Sequence, residues 1–277
     1  AQQKVAASYP GIAGYNIPFW VALDAGEFKK AGLEVDPVMI SGGSKSMQAL
    51  LSGGLDFAHV SGGVSVQANL SGADVTILAT AANSMSAGVI AAKDIRTFQD
   101  LRGKKIAVTS IGGTTWMGVL LWLEHFGLEP QRDNILLQVL GDQNVQSQAV
   151  ETGIADAAAL DGIWSKRLKQ KSFTTLGEYS DLKQRIVGQA MITPHAFLTQ
   201  RPDIVESYLK AEIEALAFAL APKNKSAVLK MLMRRLRTDA AGAEEGYQDL
   251  LKGVDRKPFP SLDGLRNVQR MLKIRTP

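Results

Sequence analysis

Along the first two thirds of the chain, short apolar runs alternate with stretches whose apolar positions recur at helical spacing. KVAASY (4–9), LEVDPVMI (33–40), LDFAHV (55–60), VTILATA (75–81) and AGVIAAK (87–93) read as strands. IPFWVALDAGEFKKAG, which closes at Gly32, and KSMQALLSGG, which closes at its glycines, read as helices between them. A second series follows, with strands predicted in GKKIAVT (103–109), ILLQVLG (135–141), DAAALDG (156–162) and FTTLGEY (173–179). Its helices are TTWMGVLLWLEHFG (114–127) and NVQSQAVETG (144–153), and QAMITPHAFLTQ (189–200) is strand-like again. Strands alternating with helices predict mainly parallel sheets covered on both faces.

Beyond residue 200 the pattern is helical. Pro202 sits in a first turn, where its missing N–H costs nothing, and Ile204, Val205, Tyr208, Leu209, Ile213 and Leu216 repeat with helical period. Short helices are expected after PFPS (258–261). Helices with no strands of their own predict a discontinuous first domain, whose terminal helices return to cover the first sheet.

Composition narrows the function classes. At 277 residues the chain can bury two cores, and 45% hydrophobic with 21% charged residues is ordinary for a globular protein. No apolar run approaches the roughly 20 residues of a membrane-spanning helix. Of the net charge of +4, the excess lies late: residues 201–277 carry 15 basic against 10 acidic side chains, residues 1–90 carry 4 against 6. Arg234–Arg237 is the densest basic point, but without an aromatic-rich surround it reads as a basic face and no nucleic-acid groove. There is no cysteine, which removes disulfides, thiolate catalysis and sulfur-ligated metals. His59, His125 and His195 form no HExxH or HxH pattern, so no metal site and no cofactor are expected. The polar AQQK stub before the first strand is expected to mark a mature secreted form whose leader has been removed.

Three times the chain leaves a strand through paired glycines and enters a helix beside a small hydroxyl: SGGSKSM from Ser41, SGGVSV from Ser61, and VTSIGGTTWMG over Val108–Gly118. None has the GxxxxGK[ST] or GxGxxG order of a phosphate loop. Glycines there permit close backbone approach, and each helix start offers free N–H groups. Ser44, Ser65, Thr114 and Thr115 either cap those helices or donate to a ligand. Tyr9 and Asn16 in SYPGIAGYNIPFW are ligand candidates, whereas Phe19 and Trp20 sit at helical spacing that suits core packing. Trp116 fits a pocket wall or a core equally. Asp161, at the end of LDGIW's strand, either meets a cationic group or caps the next helix.

The run IPFWVALDAGEFKKAGLEVDPVMISGG, then ALLSGGLDFAHVSG, then LRGKKIAVTSIGGTTWMGVLLWLEHFGLEP resembles the type II periplasmic substrate-binding proteins of ABC importers. Within them it is similar to the nitrate/sulfonate/taurine binders and their pyrimidine-precursor-binding relatives. The resemblance implies an α/β fold of two lobes, each a mainly parallel sheet flanked by helices, joined by a two-segment hinge. Lobe one would combine 1–86 with 190–277, and lobe two would span 87–189. It implies a monomeric receptor in the periplasm that carries a small-molecule solute to a membrane permease, with no catalysis. Ligand positions carried over are Ser8, Tyr9 and Asn16; Ser41, Gly42, Gly43 and Ser44; Ser61 and Gly62; Ala82 and Asn83; Gly112, Gly113, Thr114 and Thr115; and Asp161. Phe19, Trp20 and Trp116 would join Tyr9 in walling an organic ring.

The chain departs from anion binders in having only Lys45 at these loops. A sulfonate-like anion would rely on helix N-termini and hydroxyls, while Asp161 would favour an amine or an N–H-rich heterocycle, and both classes stay open. The alternatives are a menaquinone-type lyase on the same fold and a ligand-sensing domain. A pyrimidine-precursor synthase is disfavoured by the absence of cysteine.

Overall fold

The computed structural model describes residues 2–11, 14–84 and 87–275. Ser86, where the first lobe's opening segment is expected to end, lies outside the described residues. Strands β1 (Gln3–Tyr9), β2 (Leu33–Met39), β3 (Phe57–Ser61) and β4 (Val75–Thr80) build a first sheet. They alternate with helices α1 (Ile17–Asp24), α2 (Glu27–Lys30), α3 (Gly43–Leu51) and α4 (Gly62–Leu70). A second sheet holds β5 (Ala87–Ala91), β6 (Lys105–Val108), β7 (Leu136–Val139), β8 (Ala157–Asp161) and β9 (Thr174–Glu178). Its helices are α5 (Thr114–His125), α6 (Gln143–Glu151) and α7 (Gly162–Gln170). The chain then returns to the first sheet as β10 (Gln189–Pro194) and finishes in α8 (His195–Gln200), α9 (Pro202–Leu220), α10 (Lys225–Leu236), α11 (Ala240–Gly253) and α12 (Leu262–Arg275).

The strand orders are β2-β1-β3-β10-β4 and β7-β6-β8-β5-β9. β1 lies parallel to β2 and β3, and β6 parallel to β7 and β8. Each sheet also holds one strand that runs antiparallel to both neighbours: β10 between β3 and β4, and β5 between β8 and β9. These are the two strands by which the chain arrives from the other sheet. The crossings are tied to each other, since Ala81 N–H donates to Gln189 O, Gly188 N–H to Ala82 O and Ile186 N–H to Asn83 O, each at 2.9 Å. The architecture is therefore two-lobed, with mixed sheets flanked by helices and a double connection between them.

Packing explains the element choices. α1 is apolar almost throughout and carries Pro18 in its first turn, so it runs buried from Ile17 to Ala22 against the first sheet's core with Tyr208 and Ala215 of α9. β8 reads AAALD, and its small side chains suit a strand buried along its whole length between β6 and β5. α5 buries nine successive residues from Thr115 to Leu123, because it lies between the second sheet and the end of the chain.

Two sequence expectations change. The strand-like run 189–200 stops at Pro194, which cannot donate to a ladder; His195 then opens α8, and Thr199 bonds back to His195 O and Ala196 O. After PFPS there is one 14-residue helix, α12, rather than several. Its Val268, Met271 and Leu272 pack with Trp122 and Leu123 in the second sheet's core, so the tail does not cover the first sheet alone.

That tail is held at the crossing by Asn83. Its Nδ2 donates to Asp255 Oδ2 and Phe259 O, and its Oδ1 accepts from Ser261 N–H, all at 2.8 Å, at a site 4% exposed. Asn83→Ala leaves these partners unpaired and is expected to destabilise the protein by about 2–3 kcal/mol, read by denaturant unfolding. A loss below about 0.5 kcal/mol would mean that water replaces the amide there.

Candidate functional site

The strand ends and helix starts of both lobes converge on a cavity of about 100 Å³, enough for roughly seven water-sized groups. Gly42, Gly43, Ser61, Ala82, Gly113, Thr114, Thr115 and Asp161 line it, among the residues expected from sequence. Thr114 stands at the first turn of α5 and makes no side-chain hydrogen bond among the described residues, which leaves its hydroxyl for a solute. Thr115 is committed locally: its Oγ1 accepts from Thr109 N–H at 2.8 Å and lies 3.0 Å from Thr109 Oγ1.

The paired glycines do permit close approach, but of backbone to backbone. A Cβ on Gly63 would stand 2.2 Å from Gly112 O, and one on Gly112 would stand 2.9 Å from Gly63 O. Ser61 Oγ donates across the same gap toward Gly112 O at 3.1 Å. Ser41 Oγ accepts from Asp142 N–H at 3.2 Å, again between lobes. The lobes are thus closed onto each other through loops that only glycine fits.

Other expected residues lie elsewhere. Ser8 is fully buried within β1. Tyr9 packs its ring 5.7 Å from Phe19 and 6.2 Å from Trp20. Phe19 and Trp20 belong to the first core, and Trp116, 1% exposed, to the second. Asn16 spends its amide on Gly11 O at 2.6 Å and on Gln189 Nε2 at 3.2 Å. Gly62 donates its N–H to Val187 O and Gly188 O at the crossing, and Asn83 clamps the tail. Ser44 and Lys45 are exposed on α3.

Asp161 is the chemical centre. It occupies the N-cap position of α7, and Asp249 of α11 accepts the first N–H of that helix, from Gly162, at 2.8 Å. Asp161's own N–H donates to Gln143 Oε1 at 2.6 Å. Its carboxyl is 6% exposed, and neither oxygen has a hydrogen-bond partner, although the N–H groups of Trp164, Gly14 and Ile163 are near enough to moderate its pKa. Burial pushes it up to about 6 against that influence. Asp249 also lines the cavity; burial first, and then the Asp161 charge, raise it to about 7. The Tyr15 phenol is raised by burial and then by the Asp161 and Asp142 charges. Among the described residues no Lys or Arg lines this cavity.

Sequence reasoning missed Tyr15, Ser110, Gln143, Gln189 and Asp249. Tyr15 adjoins Asn16 in a loop already singled out, and Gln143 opens a helix after β7 at the same sheet edge, so both carried a positional signal. Asp249 carried none, being one polar residue within a tail helix.

An uncompensated carboxylate makes a pH prediction. A carboxyl whose folded pKa lies above its unfolded value of 3.8 destabilises the folded state as pH rises through that window, by roughly 3 kcal/mol for a rise to about 6. Asp161→Asn is therefore expected to melt higher than the parent at pH 8, with the advantage shrinking from pH 6 toward pH 4. A gain that does not vary with pH would assign the effect to packing.

Comparison with known proteins places this geometry. The family model described as NMT1/THI5 like matches residues 14–225. The chain is 25% identical over 206 residues to the binding protein YtlA of Bacillus subtilis, a match covering 73% of this chain and 61% of that relative, less than two thirds of its length. A solved structure from Bordetella bronchiseptica RB50 superposes with a TM-score of 0.82 at 20% identity, covering 98% of this chain and 89% of that one. The alkanesulfonate-binding protein SsuA from Xanthomonas axonopodis, bound to MOPS, superposes with a TM-score of 0.79 at 18% identity, covering 99% and 93%. The fold is the two-lobed type II periplasmic-binding one.

Proposed function

The chain belongs to the NMT1/THI5-like family, and we propose that it captures a small organic solute in the interlobe cavity and delivers it to the membrane permease of an importer. On this reading it acts as a periplasmic monomer without catalysis. Lobe one combines 1–86 with 190–277, lobe two spans 87–189, and closure occurs about the crossings AGVIAAK (87–93) and QAMITPH (189–195).

The solute carries a primary ammonium or amidinium group. One observation carries this: the oxygens of two buried carboxyls, Asp161 and Asp249, stand beside a cavity that no lysine or arginine lines among the described residues. A cation with N–H donors satisfies those oxygens by charge-assisted hydrogen bonds, which a quaternary ammonium cannot do. It also removes the repulsion between the two carboxylates. Thr114, Ser110 and the helix starts at Gly43 and Thr114 face the same space and suit a carbonyl or other acceptor on the same molecule.

A sulfonate-like anion is the second reading, favoured by the likeness to an alkanesulfonate-binding protein and by those helix starts. Titration calorimetry with benzylamine, benzamidine and MOPS separates the two. The amine or amidine is expected to bind one to one, and Asp161→Asn to weaken it by more than about 1.5 kcal/mol. Binding of MOPS alone, undiminished in Asp161→Asn, returns the anion reading. Mass spectrometry of solute retained from the native source tests receptor against enzyme: a chemically altered molecule would sink the receptor reading.

A further inference from the structure

Behind the solute cavity lies a smaller chamber of about 30 Å³, room for roughly two water-sized groups. Tyr15, Pro18, Ala81 and Gln189 stand in the walls of both, so the chamber is an annex of the larger space. Its far wall carries Glu212 of α9 and His59 of β3, set among Phe19, Met191 and Leu216. A carboxyl in such a place needs a reason. Glu212 is 6% exposed, whereas the neighbouring Ile213, which also lines the chamber, is 42% exposed.

The chain's own packing does not use this carboxyl. Glu212 Oε1 stands 3.4 Å from His59 Nε2, but that nitrogen bonds Tyr208 Oη at 2.9 Å, and Oε1 has no hydrogen bond. Burial pushes Glu212 up to about 8 and His59 down to about 3, so it favours the uncharged form of each. A neutral carboxylic acid offers one O–H donor and one acceptor. The chamber therefore places this carboxyl among walls that include Tyr15 and Gln189 of the solute cavity, and on the side of Ile213 it also opens outward.

We propose that the annex is a specificity subsite: a small uncharged hydrogen-bonding group of the bound solute, hydroxyl or carboxamide in size, passes between Tyr15 and Gln189 and pairs with Glu212. Size limits the group to about two heavy atoms. Apolar walls and a neutral acid exclude a charged one, which is served instead by Asp161 and Asp249. The solute is bipolar in consequence, with a cation at one end and a neutral polar group at the other. This rests on the reading of the larger cavity as a solute site.

Calorimetric titration with linear ω-amino alcohols of three to six carbons, each against the alkylamine of equal length, tests it. At one length at least, the hydroxylated probe is expected to bind about tenfold more tightly, the scale of one net hydrogen bond. Glu212→Met should abolish that preference without weakening the alkylamine, and Glu212→Gln, which keeps a donor and an acceptor, should retain it. Equal affinities at every length, or a preference that survives in Glu212→Met, overturn the proposal. If no amine binds at all, the cation reading of the larger cavity fails, and formamide soaked into crystals decides the annex by itself. Formamide within hydrogen-bonding distance of Glu212 supports the subsite, and a chamber that excludes it overturns the subsite.

Discussion

Two backbones meet across the cleft with no side chain between them, and the placement of every other group at the site follows from that contact. Gly63 faces Gly112 so closely that a single Cβ on either would collide with the other's carbonyl. Because the loops close at this distance, Ser61 can reach Gly112 O and Ser41 can reach Asp142 N–H. These bonds exist only while the lobes are together. Glycine is needed here for volume more than for dihedral freedom: Gly112 has a positive φ, but Gly63 is an ordinary helical residue. At Gly63 and Gly112 the Gly-Gly pattern thus marks a closure surface, while Gly42, Gly43 and Gly113 line the cavity beside it.

How much of this was legible follows from where the causes lie. The ten strands are local in origin, set by short apolar runs between turns, and nine match their sequence expectations to within a few residues. The tenth overran because Pro194 was weighed as part of an apolar run rather than as the end of a ladder. The cavity's glycine and hydroxyl residues were legible too, since strand ends in an open α/β sheet converge on one edge. Aromatic residues were less so. Phe19, Trp20 and Trp116 occupy helix positions whose facing element is set by tertiary packing, which single-sequence spacing does not record. Asn83 and Asn16 were noticed as polar residues near the right edge, but hydrogen bonds to Phe259 and Gly11 commit them to holding the chain.

Asp249 was illegible for a different reason. Its partner Gly162 is 87 residues away. That bond takes the first N–H of α7, while the next two, of Ile163 and Trp164, face the Asp161 carboxylate at the N-cap position and hold its pKa down. Neither sequence position alone implies this exchange, in which two carboxylates from different elements divide one helix start.

The same exchange bears on how closure and binding are linked. Asp161 ends a strand of the second sheet, whereas Asp249 lies on α11, which packs Ala243 and Tyr247 into the core of the first. Burial lifts both pKa values toward neutrality, and the Asp161 charge adds to the rise at Asp249. On the cation reading proposed above, a solute that supplies positive charge displaces the protons these carboxyls hold, and its binding free energy includes the relief of their burial. An anionic solute would instead add its own charge to the pair, so on that reading the sign of the solute is selected before its shape.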